Sequence, residues 1–213
     1  MRRFYFIWIL LFSLSALGQQ EGAVADEGTD PIETLKARYA ESLQLKCSVR
    51  VHIAVEGMQI PDKEIYLEYQ KGQKPIVRGK GLTLLPKKGG LRQFQTLFSG
   101  NIQQIALPSE DGLLRYKLVA LDPKSDWITA DLWLAPGSYQ ILRTEVSTKS
   151  HGSFSTENSY EEAELPVETI ISFEVKAFKL PLKFIGGSQS EFKKQKLEEG
   201  QMGKVVLRYA YLP

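Results

Sequence analysis

Few residues in this chain could carry out covalent chemistry, and they are isolated from one another. The two histidines, His52 and His151, have no metal-ligating neighbour at helical or C-x-x-C spacing. Residues 187–190 read G-S-Q-S, which is not the G-x-S-x-G elbow of a serine hydrolase. The sequence therefore names no catalytic residue, no metal site and no cofactor. A triad or a pair of carboxylates that only the fold brings together is left open.

The only cysteine and a glycine-containing segment also favour structural roles. Cys47 is in phase with Val49 and Val51, so we expect a buried and inert thiol. Because no second cysteine is present, an intrachain disulfide is excluded. Residues 78–81 read R-G-K-G, which fits neither phosphate-loop spacing, and glycines within an apolar run are typical of a bent strand.

Basic residues are concentrated between Lys71 and Arg92. The simpler interpretation is a solvated rim whose charge is balanced elsewhere. The alternative is a patch that contacts anionic lipid headgroups or a membrane-bound partner, where each cation adds ~1 kcal/mol. The residues that would make this contact are Arg78, Lys80, Lys87 and Lys88.

The N-terminus has the pattern of an exported protein. Residues 1–18 combine two arginines, an apolar run and A-L-G, which predicts a signal peptide cleaved near Gly18. A membrane anchor is the alternative, but the run is shorter than the ~20 residues that a spanning helix needs. Residues 19–29 predict a flexible leader, and residues 30–213 a single domain. Without Arg2 and Arg3 the acidic and basic residues are equal in number, which argues against nucleic-acid binding.

The domain is predicted to be mainly β, with about ten antiparallel strands. Four of them fall between Trp127 and Phe178, separated by turns that carry Pro or Gly about 10 residues apart, a spacing typical of a barrel or sandwich. A third strand is expected over Ile76–Leu85. Alternation on three long strands predicts the inward, apolar side chains, which are Val49, Val51, Ile53, Ile65, Leu67, Ile171, Phe173 and Val175.

Two helices are expected to cover this inner face. Asp30, Pro31 and Glu33 form a helix-start signal, and the apolar stripe that follows predicts a helix from Asp30 to about Gln44. We expect this helix to pack across the sheet through Leu35 and Tyr39. The spacing of apolar residues between Leu91 and Phe98 fits a short helix, which would add Phe94 to the cover, although a strand is the alternative.

Several segments resemble the bacterial lipoprotein-carrier and lipoprotein-sorting superfamily, the LolA/LolB-like proteins. They are D-L-W-L-A-P-G-S-Y-Q-I-L-R-T-E-V at Asp131–Val146, S-T-E-N-S-Y-E-E-A at Ser155–Ala163, and L-T-L-L-P-K before Lys88. The order of signal, amphipathic helix, long strand and hairpin also agrees. The resemblance implies an unclosed antiparallel barrel with an N-terminal amphipathic helix and short lid helices. It further implies an apolar trough that shelters acyl chains, and an arginine that holds the lid, for which Arg78 is the nearest candidate.

Three functions follow from these observations. The first is a non-enzymatic periplasmic carrier that shelters lipid or the acyl chains of lipoproteins, with transient membrane contact. The second is an envelope assembly or stress-sensing module of the same fold that binds a protein partner. The third is a secreted hydrolase whose catalytic residues only the fold would bring together.

Overall fold

The computed structural model describes residues 30–40, 44–56, 60–70, 76–79, 91–175 and 200–212. The expected signal peptide and leader lie outside these residues, as do Lys80, Lys87 and Lys88. Within the described ranges, no helix has the length and apolar character needed to cross a membrane.

The first helix, α1, spans Pro31–Arg38 and begins where the sequence predicts. The Asp30 carboxylate accepts a hydrogen bond from the Ile32 amide at 2.9 Å, and Pro31 occupies the first turn. Glu33 pairs with Lys36 along the helix surface. The expected extension to Gln44 is wrong, because the helix ends at Arg38 and Tyr39 caps it with its ring buried in the core.

The second helix and ten strands complete the described elements. Helix α2 spans Leu91–Phe98, so the predicted short helix is confirmed and the alternative of a strand is wrong. The strands are β1 Leu45–Val55, β2 Lys63–Tyr69, β3 Ile76–Arg78, β4 Ile102–Glu110, β5 Leu113–Ala120, β6 Trp127–Leu134, β7 Ile141–Thr148, β8 Gly152–Ser159, β9 Glu168–Glu174 and β10 Met202–Leu212.

The third strand is shorter than expected. The predicted strand Ile76–Leu85 ends at Arg78, because Gly79 has a φ of +139°, which only glycine adopts readily. A side chain at this position would also approach the carbonyl oxygen of Glu64 to 2.9 Å. Gly79 therefore lets the backbone at the end of β3 pack closely against Glu64 and Ile65 of β2. Residues 80–85 lie outside the described residues.

All ten strands form one antiparallel sheet that does not close into a barrel. Its order is β3-β2-β1-β10-β9-β8-β7-β6-β5-β4. The chain moves from β1 outward to the β3 end, passes to the β4 end through the segment that contains α2, and returns strand by strand until β10 pairs with β1. The buried side chains of α2 belong to the same core cluster as those of the strands, and Gln93 is hydrogen-bonded to Thr144 of β7, so α2 lies over the sheet.

Successive strands bring their inward side chains into continuous rows. One row runs from β1 to β4 through directly paired residues: Ile53, Val205, Ile171, Thr156, Thr144, Leu132, Tyr116 and Ala106. With the buried side chains of both helices, the inward residues of nearly every strand form one core cluster. We call the sheet surface that carries these rows the inner face, and α1 and α2 the helical cover.

We predict that Gly203→Ala destabilises the fold without altering its backbone conformation. A Cβ at this inward position of β10 would lie 2.9 Å from Cε2 of Phe173 and 3.0 Å from Cγ2 of Val175. Such overpacking costs about 1–3 kcal/mol, measurable as a lower urea midpoint. The neighbouring outward substitution Lys204→Ala is the control and should change the free energy of unfolding by less than ~0.5 kcal/mol. Equal midpoints for the two variants would contradict the close packing.

Candidate functional site

All eight residues predicted to face inward are buried on one side of the sheet. They are Val49, Val51, Ile53, Ile65, Leu67, Ile171, Phe173 and Val175, and the most accessible of them, Leu67, is 7% exposed. The outward residues of the same strands, such as Arg50 and Glu64, are exposed. The register therefore matches the alternation in the sequence, while binding of a ligand by these residues stays a prediction.

The helical cover reaches the inner face through large side chains. Leu35 of α1, the capping residue Tyr39 and Phe94 of α2 are all at most 1% exposed. The Tyr39 ring lies 4.9 Å from that of Phe94 and stacks at 6.0 Å on that of Phe98. Aromatic contacts of this kind stabilise by about 0.5–1.5 kcal/mol beyond area burial, so the two helices hold one another over the sheet.

The C-terminal end of α1 is tied to the sheet by Arg38. Its guanidinium donates to the carbonyl oxygens of Ser138 at 2.9 Å and Tyr139 at 3.3 Å, in the turn between β6 and β7. At the other end of α1, Gln104 of β4 donates to the Asp30 carboxylate at 2.7 Å. Sequence reasoning did not single out Arg38. Arg78, the arginine suggested by the resemblance, is exposed at the end of β3.

Besides Thr148 at the end of β7, four polar residues on β7, β8 and β9 interrupt the apolar inner face. Thr144, Thr156, Asn158 and Thr169 point inward and are buried. The hydroxyls of Thr144 and Thr156 lie 2.8 Å apart, Thr169 donates to the Asn158 side-chain oxygen at 2.8 Å, and Asn158 donates to the carbonyl oxygen of Ile141 at 2.8 Å. We call these four residues the polar patch.

Helix α2 contributes one polar side chain to the same region. Gln93 is 3% exposed, and its amide nitrogen donates to the Thr144 hydroxyl at 3.2 Å. Its amide oxygen is buried and has no hydrogen-bond partner within the part of the chain that the structure describes. This contact could not be predicted from the sequence, because threonine favours strands whichever way it points.

Burial governs the titratable groups of the core. It raises the pKa of Cys47 to about 12, so the thiol stays protonated at neutral pH, as the sequence analysis expects. The pKa of Tyr39 is raised well above its usual value, mainly by burial. The electrostatic and hydrogen-bonding interactions with Tyr160 raise it further. The Tyr160 hydroxyl donates to the carbonyl oxygen of Ile141 at 3.0 Å. These groups are suited to packing rather than to proton transfer.

An open cleft of about 830 Å³ lies where β1 ends and β10 begins. Ile53, one of the predicted inward residues, belongs to its lining, and Ile60 connects the cleft to the core cluster. The full lining comprises His52, Ile53, Ala54, Val55, Glu56, Ile60, Pro61, Met202 and Lys204. Pockets that hold small ligands have volumes of about 300–1,000 Å³, so this cleft is large enough for an amphiphile.

The histidines lie apart from the inner face. The imidazole of His52 is hydrogen-bonded to Asp62 at 2.7 Å on the surface. His151 lies at a turn beside Ser150, with the Asp126 carboxylate at 4.0 Å. Within the described part of the chain, no three His, Cys, Asp or Glu residues are grouped closely enough to hold a metal ion.

The tryptophan of the segment that carries the family resemblance faces outward. Trp133 lies between the guanidinium groups of Arg115 and Arg143, whose central carbons are 5.0 Å and 4.7 Å from its ring. Its indole nitrogen donates to Glu110 at 3.2 Å. The segment therefore builds the β6–β7 hairpin, and its Trp133 stabilises the outer face rather than the inner one.

Comparisons with known structures identify the fold. The chain is similar to a LolA superfamily protein from Nitrosomonas europaea, with a TM-score of 0.53, 10% identity, and coverage of 85% of this chain and 92% of that chain. A candidate outer-membrane lipoprotein-sorting domain from Vibrio parahaemolyticus matches with a TM-score of 0.43 and 9% identity, over 84% of this chain and 89% of that one. A DUF1329 family protein from Desulfovibrio piger matches with a TM-score of 0.44 and 10% identity, over 85% and 92%.

The fold is therefore LolA-like, which confirms the resemblance read from the sequence. No protein-family model matches the sequence, and neither does any curated protein. At such low identity the likeness establishes the fold alone, so the function has to be argued from the inner face and its helical cover.

We predict that Arg38→Met loosens the helical cover. Loss of the two hydrogen bonds to the β6–β7 turn should make the backbone amides of α1 exchange several-fold faster, measured by hydrogen–deuterium exchange. Lys36→Met is the control, because Lys36 lies on the same helix and pairs only with Glu33 among the described residues. Equal exchange in both variants would show that the Arg38 contacts do not hold the helix.

We predict that the Cys47 thiol resists alkylation in the native protein at pH 8 and reacts completely after denaturation. An unfolded thiol ionises near pH 8.5, whereas the folded one ionises at about 12. The free energy of unfolding should therefore be highest below about pH 8.5 and decrease as the pH rises toward 12. Cys47→Ala should show a shallower decrease, since only the tyrosine contribution remains. An identical pH dependence in both proteins would contradict the raised pKa.

Proposed function

We propose that this protein is a non-enzymatic periplasmic binding protein that shelters the acyl chain of a lipid or lipoprotein against its inner face. The observation that carries this proposal is an open, ten-stranded apolar sheet whose inner face is covered by two short helices. A sandwich would cover such a face with a second sheet, held by its own hydrogen bonds. A short helix held by side-chain contacts can be displaced at much lower cost.

The physical chemistry of this arrangement suits reversible lipid binding. Each CH₂ removed from water contributes ~0.8 kcal/mol, so a twelve-carbon chain gains on the order of 9 kcal/mol before the costs of association. An acyl chain that takes the place of the Phe94 and Phe98 rings would keep the inner face dry. The open cleft beside Ile53 gives such a chain a route from solvent to the core cluster.

The compartment and partners follow from the same proposal. Export by residues 1–18 would deliver the protein to the periplasm, where lipid or lipoprotein acyl chains need shelter from water. Arg78, together with Lys80, Lys87 and Lys88, would provide transient contact with anionic headgroups at a membrane surface.

A second candidate function is binding of an envelope protein partner, and strand β4 favours it. β4 is the outermost strand at its end of the described sheet, and residues 102–109 carry no charge. Ile105 is 40% exposed on this strand. Edge strands are usually protected by charged side chains, so β4 could accept an added strand, with Pro108 and the irregularity after Leu107 limiting its length.

We predict that the purified protein carries an acyl-chain ligand, detectable by native mass spectrometry and by lipid extraction. Val51→Phe should reduce ligand content strongly, because the added ring occupies the inner face at a position only 2% exposed. The substitution should also cost about 1–3 kcal/mol of stability through overpacking. Ile128→Phe is the matched control, since Ile128 is 44% exposed, and it should leave ligand content unchanged.

Two results would contradict the carrier proposal. One is a wild-type protein that is free of lipid and binds no fluorescent fatty-acid probe. The other is equal ligand content in Val51→Phe and Ile128→Phe. Protein-partner binding through β4 would instead be abolished by Ile105→Lys, with probe binding retained.

A further inference from the structure

The polar patch stands at the centre of an otherwise apolar row. In the row from Ile53 on β1 to Ala106 on β4, the two middle residues are Thr156 and Thr144, with apolar side chains or Tyr116 at the other positions. Asn158 and Thr169 are paired across the neighbouring strands in the next row. Valine has nearly the same shape as threonine, so packing alone does not require these hydroxyls.

The hydrogen bonds of the patch leave one acceptor, the amide oxygen of Gln93, without a donor among the described residues. With the amide nitrogen of Gln93 donating to Thr144, the Thr144 hydroxyl is free to donate to Thr156. Thr169 donates to Asn158, which donates in turn to the carbonyl oxygen of Ile141. The amide oxygen of Gln93 has no partner within the described ranges, although the side chain is almost completely buried. A buried acceptor without a donor is costly, so a donor that enters the site and pairs with it gains free energy.

The position of Gln93 connects this acceptor to the helical cover. Gln93 precedes Phe94, and both are buried on α2, facing the sheet. A ligand chain that replaces Phe94 against the inner face would bring its polar end beside Gln93 and the two threonines. An acyl ester has only acceptors at that end. An amide or a hydroxyl offers a hydrogen for the Gln93 oxygen. The Thr156 hydroxyl accepts from Thr144, so its own hydrogen can be donated to the neighbouring carbonyl.

We propose that Gln93 and the polar patch form the polar end of the acyl-chain site, and that they select chains bearing a hydrogen-bond donor next to the acyl group. The shared chemistry is an N–H or O–H group close to a carbonyl, found in amide-linked acyl chains and in 3-hydroxyacyl chains. This inference rests on the proposed function and specifies its ligand. Selectivity arises because a plain ester leaves the Gln93 oxygen unpaired, and unpaired buried groups discriminate strongly against such a ligand.

The test compares three neutral ligands of equal chain length, which are N-methyldodecanamide, methyl 3-hydroxydodecanoate and methyl dodecanoate. Their affinities are measured by displacement of a fluorescent fatty-acid probe from the full-length mature protein. The amide, the hydroxyester or both should bind about tenfold more tightly than the plain ester. Preference for the amide alone assigns amide-linked chains as the ligand, and preference for the hydroxyester alone assigns hydroxyacyl chains.

Substitutions then assign the selectivity to Gln93. Gln93→Leu should reduce the affinity of the preferred ligand to that of the plain ester and leave the ester unchanged. Its thermal midpoint should be equal to or above that of the wild type, because an unpaired buried acceptor has been removed. Gln95→Leu is the control on the same helix, where the side chain is half-buried, and it should retain the wild-type ranking. Gln93→Met replaces Gln93→Leu if the branched side chain prevents folding.

Three outcomes separate this inference from the function on which it rests. Equal binding of the three ligands by the wild type overturns the inference and leaves the acyl-chain carrier standing. A Gln93→Leu variant that weakens all three ligands alike also overturns it, because Gln93 would then only position α2. Failure of all three ligands and of the probe to bind removes the carrier proposal itself.

Discussion

The pairing of the first strand with the last holds the whole sheet together. Ten consecutive residue pairs, from Lys46 with Leu212 to Val55 with Gly203, join β1 to β10. Without this ladder, the described sheet would separate into a three-stranded part that ends with β3 and a meander from β4 to β10. Because the two strands are distant in sequence, the chain must complete most of its course before the pairing forms, which is the situation of slow-folding β proteins.

The same pairing determines what the inner face can do. It makes the apolar rows continuous across the sheet, yet the opposite edges, β3 and β4, remain at separate ends. A sheet with one apolar face and two ends has to be covered, and the segment that connects those ends carries α2. The strength of the cover depends on a few contacts, which are the Tyr39, Phe94 and Phe98 rings, Arg38 at the β6–β7 turn, and Gln104 at Asp30.

Alternation in the sequence was sufficient to predict much of this fold, because β1, β2, β9 and β10 keep strict phase over many residues. The capping residues likewise located the start of α1. Its end was missed, since the same apolar stripe continues past Tyr39 and only burial of the Tyr39 ring shows where the helix stops. The order of the strands was also beyond sequence reasoning, because the pairing of β1 with β10 depends on residues far apart in the chain.

The polar part of the candidate site shows a different limit. Thr144, Thr156 and Thr169 occupy inward positions where the alternation pattern predicts ordinary strand residues. Their hydrogen bonds depend on residues of neighbouring strands, which the pattern does not identify. Gln93 lies on α2, which is predicted from the spacing of its apolar residues alone, so the pattern says nothing about Gln93. A cover packed solely for stability would place a leucine there, since a buried unpaired amide oxygen costs about 1–3 kcal/mol. This cost is recovered when a donor on the ligand pairs with the oxygen, so the unpaired amide favours ligands that bear such a donor over those that do not. In the proposed carrier, a shift of the short α2 helix admits the ligand, and the Gln93 oxygen favours ligands that bear a hydrogen-bond donor.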